Sequence, residues 1–221
     1  MCMERSCGHA PAPESTRPHT NWRGAQALLA SDRVANPDPD GDEALMLAYA
    51  GGDAHAFDRL YARHRGGSYR YFLRSLSDAG VAQELFQDLW MSVIRAREAY
   101  QPQAKFSTWL YTMAHNRLID HYRRSNVVRL VAFDDPDDEE SAIPDPAPGP
   151  EEHAAARHAA RQLLELVAQL PAAQREAFLL QAEGGLSLSE IAVATGAGEE
   201  TVKSRLRYAM ARLRQGMKDF A

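Results

Sequence analysis

Cysteine is scarce in this chain of 221 residues: only Cys2 and Cys7 occur, both in a polar, proline-containing stretch. Two cysteines supply neither a disulfide framework nor the four ligands of a structural zinc site. We therefore expect no bound metal, and stability has to come from a packed core. A composition of 45% hydrophobic and 25% charged residues is close to the globular average, so a core can form.

Long apolar runs are also missing. None approaches the roughly 20 residues needed to cross a bilayer, and the first twenty residues lack the apolar stretch of a secretion signal. We therefore expect a cytoplasmic protein without membrane insertion. The sequence also has no alternating strand-like run of any length and no internal repeat. Apolar residues recur at helical spacing instead, which predicts an all-α fold.

The sequence also lacks a pattern of residues typical of an active site. The eight histidines are scattered, and His115 and His121 are six residues apart rather than at the three- or four-residue spacing of a helical metal pair. The acidic residues between 134 and 140 lack the ligand spacing and the glycine of a calcium loop. The sequence therefore predicts that the protein is not an enzyme and takes no cofactor.

Charge is unevenly distributed, although the formal net charge is only -5. Residues 1–41 contain five prolines and are predicted to be a disordered tail. Residues 42–126 carry 11 Lys or Arg and 9 Asp or Glu, whereas residues 127–153 carry one Arg, nine acids and five prolines, as flexible linkers do. The helical pattern resumes over 154–221. We therefore expect two small helical domains joined by a flexible acidic linker.

Four helices are predicted in the first domain, at 42–50, from Asp53 to about 76, at about 80–99 and at about 106–124. The Asp53 side chain can accept hydrogen bonds from the exposed amides of the second helix and so cap it. Gly66 and Gly67 should weaken or bend the middle of that helix, since each glycine costs about 1 kcal/mol relative to alanine.

A helix-turn-helix pattern occupies the segment LSLSEIAVATGAGEETVKSRLRYAMARLR, which begins at Leu186. It reads as a short helix, a break at Gly196 and Gly198, and a longer helix from about Glu199. Ser187 or Ser189 could cap the short helix and bring its amides toward a phosphate. The second helix of such a motif enters the major groove of DNA.

The longer helix has a buried stripe at offsets of 4, 3 and 4, formed by Val202, Leu206, Ala209 and Leu213. The polar residues between these positions must then point outward. Residues 199–214 carry five Arg or Lys against two Glu, which suits a phosphate-lined partner. The alternative interpretation is the solvated basic face of a helical bundle.

Aromatic and cationic residues alternate in AKFSTWLYTMAHNRLIDHYRRSN, residues 104–126. Rings beside cations suit an unpaired base, which needs a surface for its face and charge for its backbone. Most of the apolar members are also good core residues, so burial is the alternative for them. The poor core residues, which are our surface candidates, are Lys105, Asn116, Arg123 and Arg124.

Taken in order, these segments resemble a bacterial RNA polymerase sigma factor of the extracytoplasmic-function (ECF) type, a class with only sigma regions 2 and 4. DEALMLAYAGGDAHAFDRLYARH, AQELFQDLWMSVIRAREAY and KFSTWLYTMAHNRLIDHYRR resemble parts of region 2. LVAQLPAAQREAFLLQAEGGLSLSEIA and TVKSRLRYAMARLR resemble region 4. The resemblance implies that 42–126 is a region 2 helical bundle and 154–221 a region 4 helix-turn-helix domain.

The resemblance also implies the partners, core RNA polymerase and promoter DNA, and leaves an anti-sigma factor open. The residues implied to contact polymerase are Glu84, Gln87 and Asp88. Those implied for the minus-ten element are Tyr100, Lys105, Trp109, Asn116, Arg117, Arg123 and Arg124. Those implied for the minus-thirty-five element are Thr201, Lys203, Ser204, Arg205, Arg207 and Tyr208.

A stand-alone helix-turn-helix regulator is the alternative function. Such a regulator binds its site by itself, as a dimer on a palindrome. A sigma factor needs polymerase to hold its two DNA elements in register. If those elements lie two helical turns apart, they are roughly 70 Å apart. A linker of about 27 residues can stretch to about 90 Å, but nothing in it fixes the spacing.

Overall fold

A computed structural model describes residues 40–125 and 150–219, and these two stretches are helical without a strand. The first stretch contains α1 (Asp42–Ala50), α2 (Ala54–Ser75), α3 (Ala79–Ala96), a 3-10 turn (Arg97–Ala99) and α4 (Phe106–Ser125). The second contains α5 (Pro150–Ala168), α6 (Ala172–Gly184), α7 (Leu188–Thr195) and α8 (Glu199–Asp219). The predicted all-α fold is confirmed. The predicted tail up to residue 39, and the predicted linker up to residue 149, lie outside the described residues.

Two helix starts in the first stretch, those of α2 and α3, follow from side-chain caps. As predicted, Asp53 caps α2 by accepting hydrogen bonds from the backbone amides of His55 at 2.9 Å and Ala56 at 3.4 Å. Asp78 caps α3 in the same way. The predicted weak point at Gly66 and Gly67 does not interrupt α2, which continues through both glycines.

The start of α4 is fixed from a distance. The Glu43 carboxylate of α1 accepts a hydrogen bond from the Phe106 backbone amide at 2.7 Å, across 63 residues of sequence. This contact satisfies one of the exposed amides at the helix start and ties α1 to α4. Local spacing gave no sign of it, because the cap comes from another helix.

The first four helices form a bundle in which α2 contacts α1, α3 and α4. Its centre is rich in aromatic rings, and buried side chains there include Leu60, Tyr71, Phe72, Leu89, Trp90, Phe106 and Leu110. The Trp90 ring packs edge-on against Phe57 and Tyr61. Such edge-to-face pairs stabilise the fold beyond the contribution from burial of apolar area.

The last four helices form a second unit around α8, which contacts α5, α6 and α7. The predicted stripe is confirmed: Val202, Leu206, Ala209 and Leu213 are all buried. The turn between α7 and α8 begins at Gly196 with φ of 65°, a left-handed conformation that favours glycine. Helix α5 begins at Pro150, four residues before the predicted domain boundary, because proline fits the first turn of a helix.

The two units pack against each other and share one hydrophobic core. Helix α2 lies against α6, and α4 lies against α7 and α6. Gly67 permits the close approach, because a Cβ there would lie 2.8 Å from both the Glu183 carbonyl oxygen and the Tyr111 hydroxyl. This packing was not predicted from the sequence.

Candidate nucleic-acid interface

Helix α8 presents most of its predicted DNA-reading residues to solvent. Thr201, Lys203, Arg207 and Tyr208 are exposed, whereas Ser204 and Arg205 are half-buried. The buried stripe lies on the opposite face and fixes this orientation. The side chains on the N-terminal half of the helix can therefore reach the base edges of a major groove.

Two local contacts hold the cations of α8 in place. The Arg207 guanidinium lies over the Tyr208 ring, 5.0 Å from its centre, in a cation–π arrangement. The Lys203 ammonium pairs with Glu200 at 3.3 Å, and both side chains are exposed. An exposed pair of this kind is weak, so Lys203 can exchange Glu200 for a phosphate or a base.

The start of α7 is closed by a capping box. Ser187 caps the helix by accepting from the Glu190 amide, and the Glu190 carboxylate accepts from the Ser187 amide at 2.8 Å. The predicted cap at Ser187 is confirmed. Burial alone would raise the pKa of Glu190, but hydrogen bonds from Ser187 and Lys105 outweigh it and hold the pKa below its usual value. The negative charge of Glu190 at the start of α7 repels a phosphate. It therefore disfavours the predicted contact between a phosphate and the first amides of this helix.

Two aromatic residues predicted for the minus-ten element lie in the core. Tyr100 is 7% exposed and Trp109 is 5% exposed, and their rings pack edge-on with centres 5.0 Å apart. In this arrangement neither ring offers a face to DNA, and the role of both residues at the minus-ten element stays a prediction. Burial, and then the nearby carboxylates Glu43 and Asp42, raise the pKa of Tyr100 above its usual range.

The remaining α4 candidates differ in accessibility. Asn116 is half-buried, and Arg123 and Arg124 are exposed near the end of the helix. Asn116 and Arg123 are seven residues apart and share one face. Arg117 donates from Nη2 to the Ser92 hydroxyl at 2.6 Å, so it links α4 to α3 rather than pointing into solvent.

Lys105, just before α4, contacts the second unit. Its Nζ lies 3.2 Å from Glu190 Oε1, the carboxylate of the capping box. One predicted contact for the minus-ten element is therefore paired with the first helix of the motif predicted to read the minus-thirty-five element. Sequence reasoning did not connect these two residues.

An exposed stripe on α3 contains the predicted polymerase contacts. Glu84, Gln87 and Asp88 are all exposed, and Met91 continues the stripe at 45% exposure. These four positions follow the i, i+3, i+4, i+7 spacing of one helix face. Sequence reasoning missed Met91, although its spacing from Gln87 and Asp88 was a usable signal. Methionine is frequent on adaptable protein-binding surfaces, and Met91 lies in line with the three predicted polymerase contacts.

Metal-binding clusters and membrane-spanning helices are absent from the described residues, 40–125 and 150–219. In these stretches no group of three or more His, Cys, Asp or Glu side chains could hold a metal ion. Among the same residues, no helix has the length and apolar character to cross a membrane.

Family models match both helical units. Residues 60–127 match the model of sigma-70 region 2, and residues 160–213 match that of sigma-70 region 4. RNA polymerase sigma factor NccH of Alcaligenes xylosoxydans xylosoxydans is 31% identical over 180 residues, which span 80% of this chain and 94% of that protein. ECF RNA polymerase sigma factor SigK of Mycobacterium tuberculosis (strain H37Rv) is 31% identical over 176 residues, which span 78% of this chain and 91% of SigK.

Solved structures share the fold. CnrH, solved in complex with the cytosolic domain of CnrY, aligns with a TM-score of 0.57 at 23% identity, covering 81% of this chain and 99% of that one. The sigma factor RpoE of Bartonella quintana, solved with the anti-sigma factor NepR, aligns with a TM-score of 0.56 at 20% identity. That alignment covers 73% of this chain and 96% of RpoE.

Proposed function

The chain belongs to the ECF group of the sigma-70 family, whose members are RNA polymerase sigma factors that direct transcription initiation, and we propose that it recognises two promoter elements through separate helices. Helix α4 and the residues around it engage the minus-ten element. Helix α8 reads the minus-thirty-five element in the major groove. Both activities require core RNA polymerase, and the protein acts in the cytoplasm, where polymerase and DNA meet.

The observation that carries this proposal is the orientation of α8. Its apolar stripe is buried, and Lys203 and Arg207 are exposed in the N-terminal half of the second helix of a helix-turn-helix. This is the geometry that places side chains against base edges. An arginine can make a bidentate contact with guanine there, worth about 1 to 3 kcal/mol of discrimination.

For the minus-ten element, we propose Asn116 as the residue that holds an extruded base, with Lys105, Arg123 and Arg124 on the phosphate backbone. An amide both donates and accepts, so it can pair with the edge of a base. The exposure of Arg123 and Arg124 supports a backbone role. Tyr100 and Trp109 then hold α4 in position from within the core.

The division into functional regions follows the same proposal. Region 2 spans 42–126 and region 4 spans 154–221, with the acidic linker of 127–153 between them. Core polymerase binds the α3 stripe of Glu84, Gln87, Asp88 and Met91. An anti-sigma factor is a further proposed partner, supported by the shared fold of Bartonella quintana RpoE, which was solved with one.

Transcription from a genomic DNA library, with core polymerase in the presence and absence of the protein, tests the proposal. We expect start sites that depend on the protein, and we expect weak, salt-sensitive DNA binding by the protein alone. Tight, specific binding of a palindrome by the isolated protein would favour the stand-alone regulator instead.

The α3 stripe is tested by Asp88→Arg. Asp88 is exposed, so the substitution should change the free energy of unfolding by no more than about 0.5 kcal/mol. Charge reversal should nevertheless reduce affinity for core polymerase in a pull-down titration. Asp58→Arg is the matched control, since Asp58 has an exposed side chain on α2, outside the stripe. Equal affinity of both variants and the wild type would reject the polymerase assignment.

A further inference from the structure

Two neighbouring residues on the exposed part of α8, Arg207 and Tyr208, contact each other through their side chains. The guanidinium carbon of Arg207 lies 5.0 Å from the centre of the Tyr208 ring, inside the roughly 6 Å limit of a cation–π contact. Both residues are exposed, and Tyr208 is exposed to 54%. A ring this open to solvent adds little to the core. The contact therefore arranges the surface of α8 rather than its buried side.

This contact leaves the hydrogen-bond donors of Arg207 available. A guanidinium carries five N–H donors in one plane, in a fork that matches two acceptors at once. Among the described residues, its only polar approach is from Nη2 to the Tyr208 hydroxyl at 3.5 Å, the outer limit of a hydrogen bond. Tyr208 therefore contacts Arg207 mainly through its ring, and the donors at the edge of the guanidinium can still meet a base.

A ring contact distinguishes Arg207 from the cations before and after it on α8. Lys203, one turn earlier, has an exposed and therefore weak ion pair with Glu200 at 3.3 Å. Arg214, two turns later on the same face, is exposed and has no hydrogen bond or ion pair with any described residue. Among the described residues of α8, Arg207 is therefore the cation that a ring holds.

Reading a base requires the arginine to be ordered. Arginine has many rotamers, and the freedom that it loses on binding weakens the contact that it makes. A tyrosine ring has only two rotatable bonds, so it offers a stiff surface at a small cost in entropy. A guanidinium held in one place before DNA arrives loses less freedom on binding, and it reaches the bidentate geometry with guanine more often.

We propose that Tyr208 is a positioning residue for the minus-thirty-five element, which holds the Arg207 guanidinium in place for a bidentate contact with guanine. The inference rests on the proposed function, because α8 has to read bases for the position of Arg207 to matter. Tyr208 then sets specificity through Arg207 and not through a contact of its own with DNA. This role differs from the direct contact that the family resemblance implies for Tyr208.

Phenylalanine and leucine are the matched substitutions at position 208. Phenylalanine keeps the ring and its cation–π contact but lacks the hydroxyl, whereas leucine removes the ring and remains a good helix former. Because Tyr208 is exposed, neither substitution should unfold α8. A difference between the two variants therefore reports the contribution of the ring.

The position of Arg207 is tested on the full chain without DNA or polymerase, by nuclear magnetic resonance of nitrogen-15-labelled arginine. Arg207→Lys and Arg214→Lys identify the two Nε–H signals. We expect the heteronuclear NOE of Arg207 to exceed that of Arg214, to persist in Tyr208→Phe, and to fall to the Arg214 value in Tyr208→Leu. Equal values for both arginines in the wild type, or no fall in Tyr208→Leu, would overturn the proposal.

Specificity is then measured with holoenzyme on a promoter library randomised in the upstream element. At the position that Arg207→Ala relaxes, Tyr208→Leu should lower the preference for guanine by about two- to five-fold, the ratio that an exposed cation–π contact supplies. Tyr208→Phe should keep most of this preference. An unchanged preference in Tyr208→Leu, or an equal loss at every position of the element, would contradict the positioning role.

A double-mutant cycle separates positioning from direct contact. If Tyr208 acts through Arg207, Tyr208→Leu should have no further effect on the library in an Arg207→Ala background. Equal effects in both backgrounds would show that Tyr208 contacts DNA itself, and the proposal would be wrong. If Arg207→Ala relaxes no position, α8 does not read the element as proposed above. That failure is distinct from equal NOE values, which overturn the positioning of Arg207 alone.

Discussion

Helices α8 and α4 were both predicted to contact DNA, but the structure uses them differently. Both carry several cations, whereas α4 has four Phe, Trp or Tyr residues and α8 has only Tyr208. In α8 the apolar residues occupy one stripe, so exposed and buried positions separate as the period predicts. Helix α4 contacts α1, α2 and α3 of its own unit and α6 and α7 of the second unit. The comparison shows that helical period separates exposed from buried positions in α8, which contacts three helices of its own unit, better than in α4, which contacts five helices of both units.

Truncation of one aromatic residue in each helix should give the largest contrast. Trp109→Ala removes a buried ring of α4 and should cost about 3–5 kcal/mol of unfolding free energy. Tyr208→Ala on α8 removes a ring that is 54% exposed, so the cost should stay within about 0.5 kcal/mol. Urea denaturation followed by circular dichroism measures both. Small, equal losses would show that Trp109 does not contribute to the core and would remove the contrast.

Substitution of the exposed cations of α8 should have the second-largest effect. Arg207→Ala or Lys203→Ala should cost about 1–3 kcal/mol at one position of the upstream element if the side chain reads a base. Binding of holoenzyme to a library randomised in that element measures the effect. A uniform loss across all sequences would show that the residue contacts phosphate instead.

Asn116 tests whether the accessible part of α4 contacts DNA as the exposed face of α8 is proposed to do. Asn116→Ala should reduce open-complex formation at a natural promoter by about ten-fold or less, since extruding a base costs a few kcal/mol and the pocket recovers only part of it. Permanganate footprinting of unpaired thymines reports the opening. The control is a pre-melted promoter that lacks the extruded base, where variant and wild type should bind alike. Equal footprints on the natural promoter would make Asn116 a structural residue of the helix surface.

The smallest expected effect concerns Glu190, where α7 meets the start of α4. Because the folded pKa of Glu190 lies below the ordinary 4.5, its contribution to stability is present above that value and is lost as the pH falls through the lower folded pKa. Glu190→Gln should therefore flatten the loss of thermal stability between about pH 5 and 3. Glu200→Gln, with an exposed side chain on α8, is the control. If Glu190→Gln loses thermal stability between about pH 5 and 3 as the wild type does, Lys105 and Ser187 do not stabilise this carboxylate.

Much of the fold could be predicted because its signals are local. Asp53 and Ser187 each cap a helix through neighbours two or three residues away, and Gly196 ends α7 with a positive φ. The buried stripe of α8 repeats at a fixed helical offset. Each of these features depends on residues within one or two turns, so no knowledge of distant parts of the chain was needed.

Part of the candidate site could not be predicted, because it depends on partners remote in sequence. Arg117 is a good surface candidate by composition, but Ser92, 25 residues earlier, takes its guanidinium. Tyr100 has an aromatic ring suited to stacking, yet it lies against Phe106 and Trp109. Composition identifies which side chains can perform a role, whereas packing decides which of them are accessible.

The sequence by itself determined the helical class, the helix-turn-helix with its outward cations, and the order of segments that carries the family resemblance. Only the tertiary structure decided which face of α4 stays accessible and how the two units meet. Glu176, Glu183 and Glu190 look like ordinary surface acids in the sequence, and their partners lie 61 to 113 residues away. The physical reason is that periodicity and caps act over a few residues, whereas burial and ion pairing depend on groups that only the folded chain brings together.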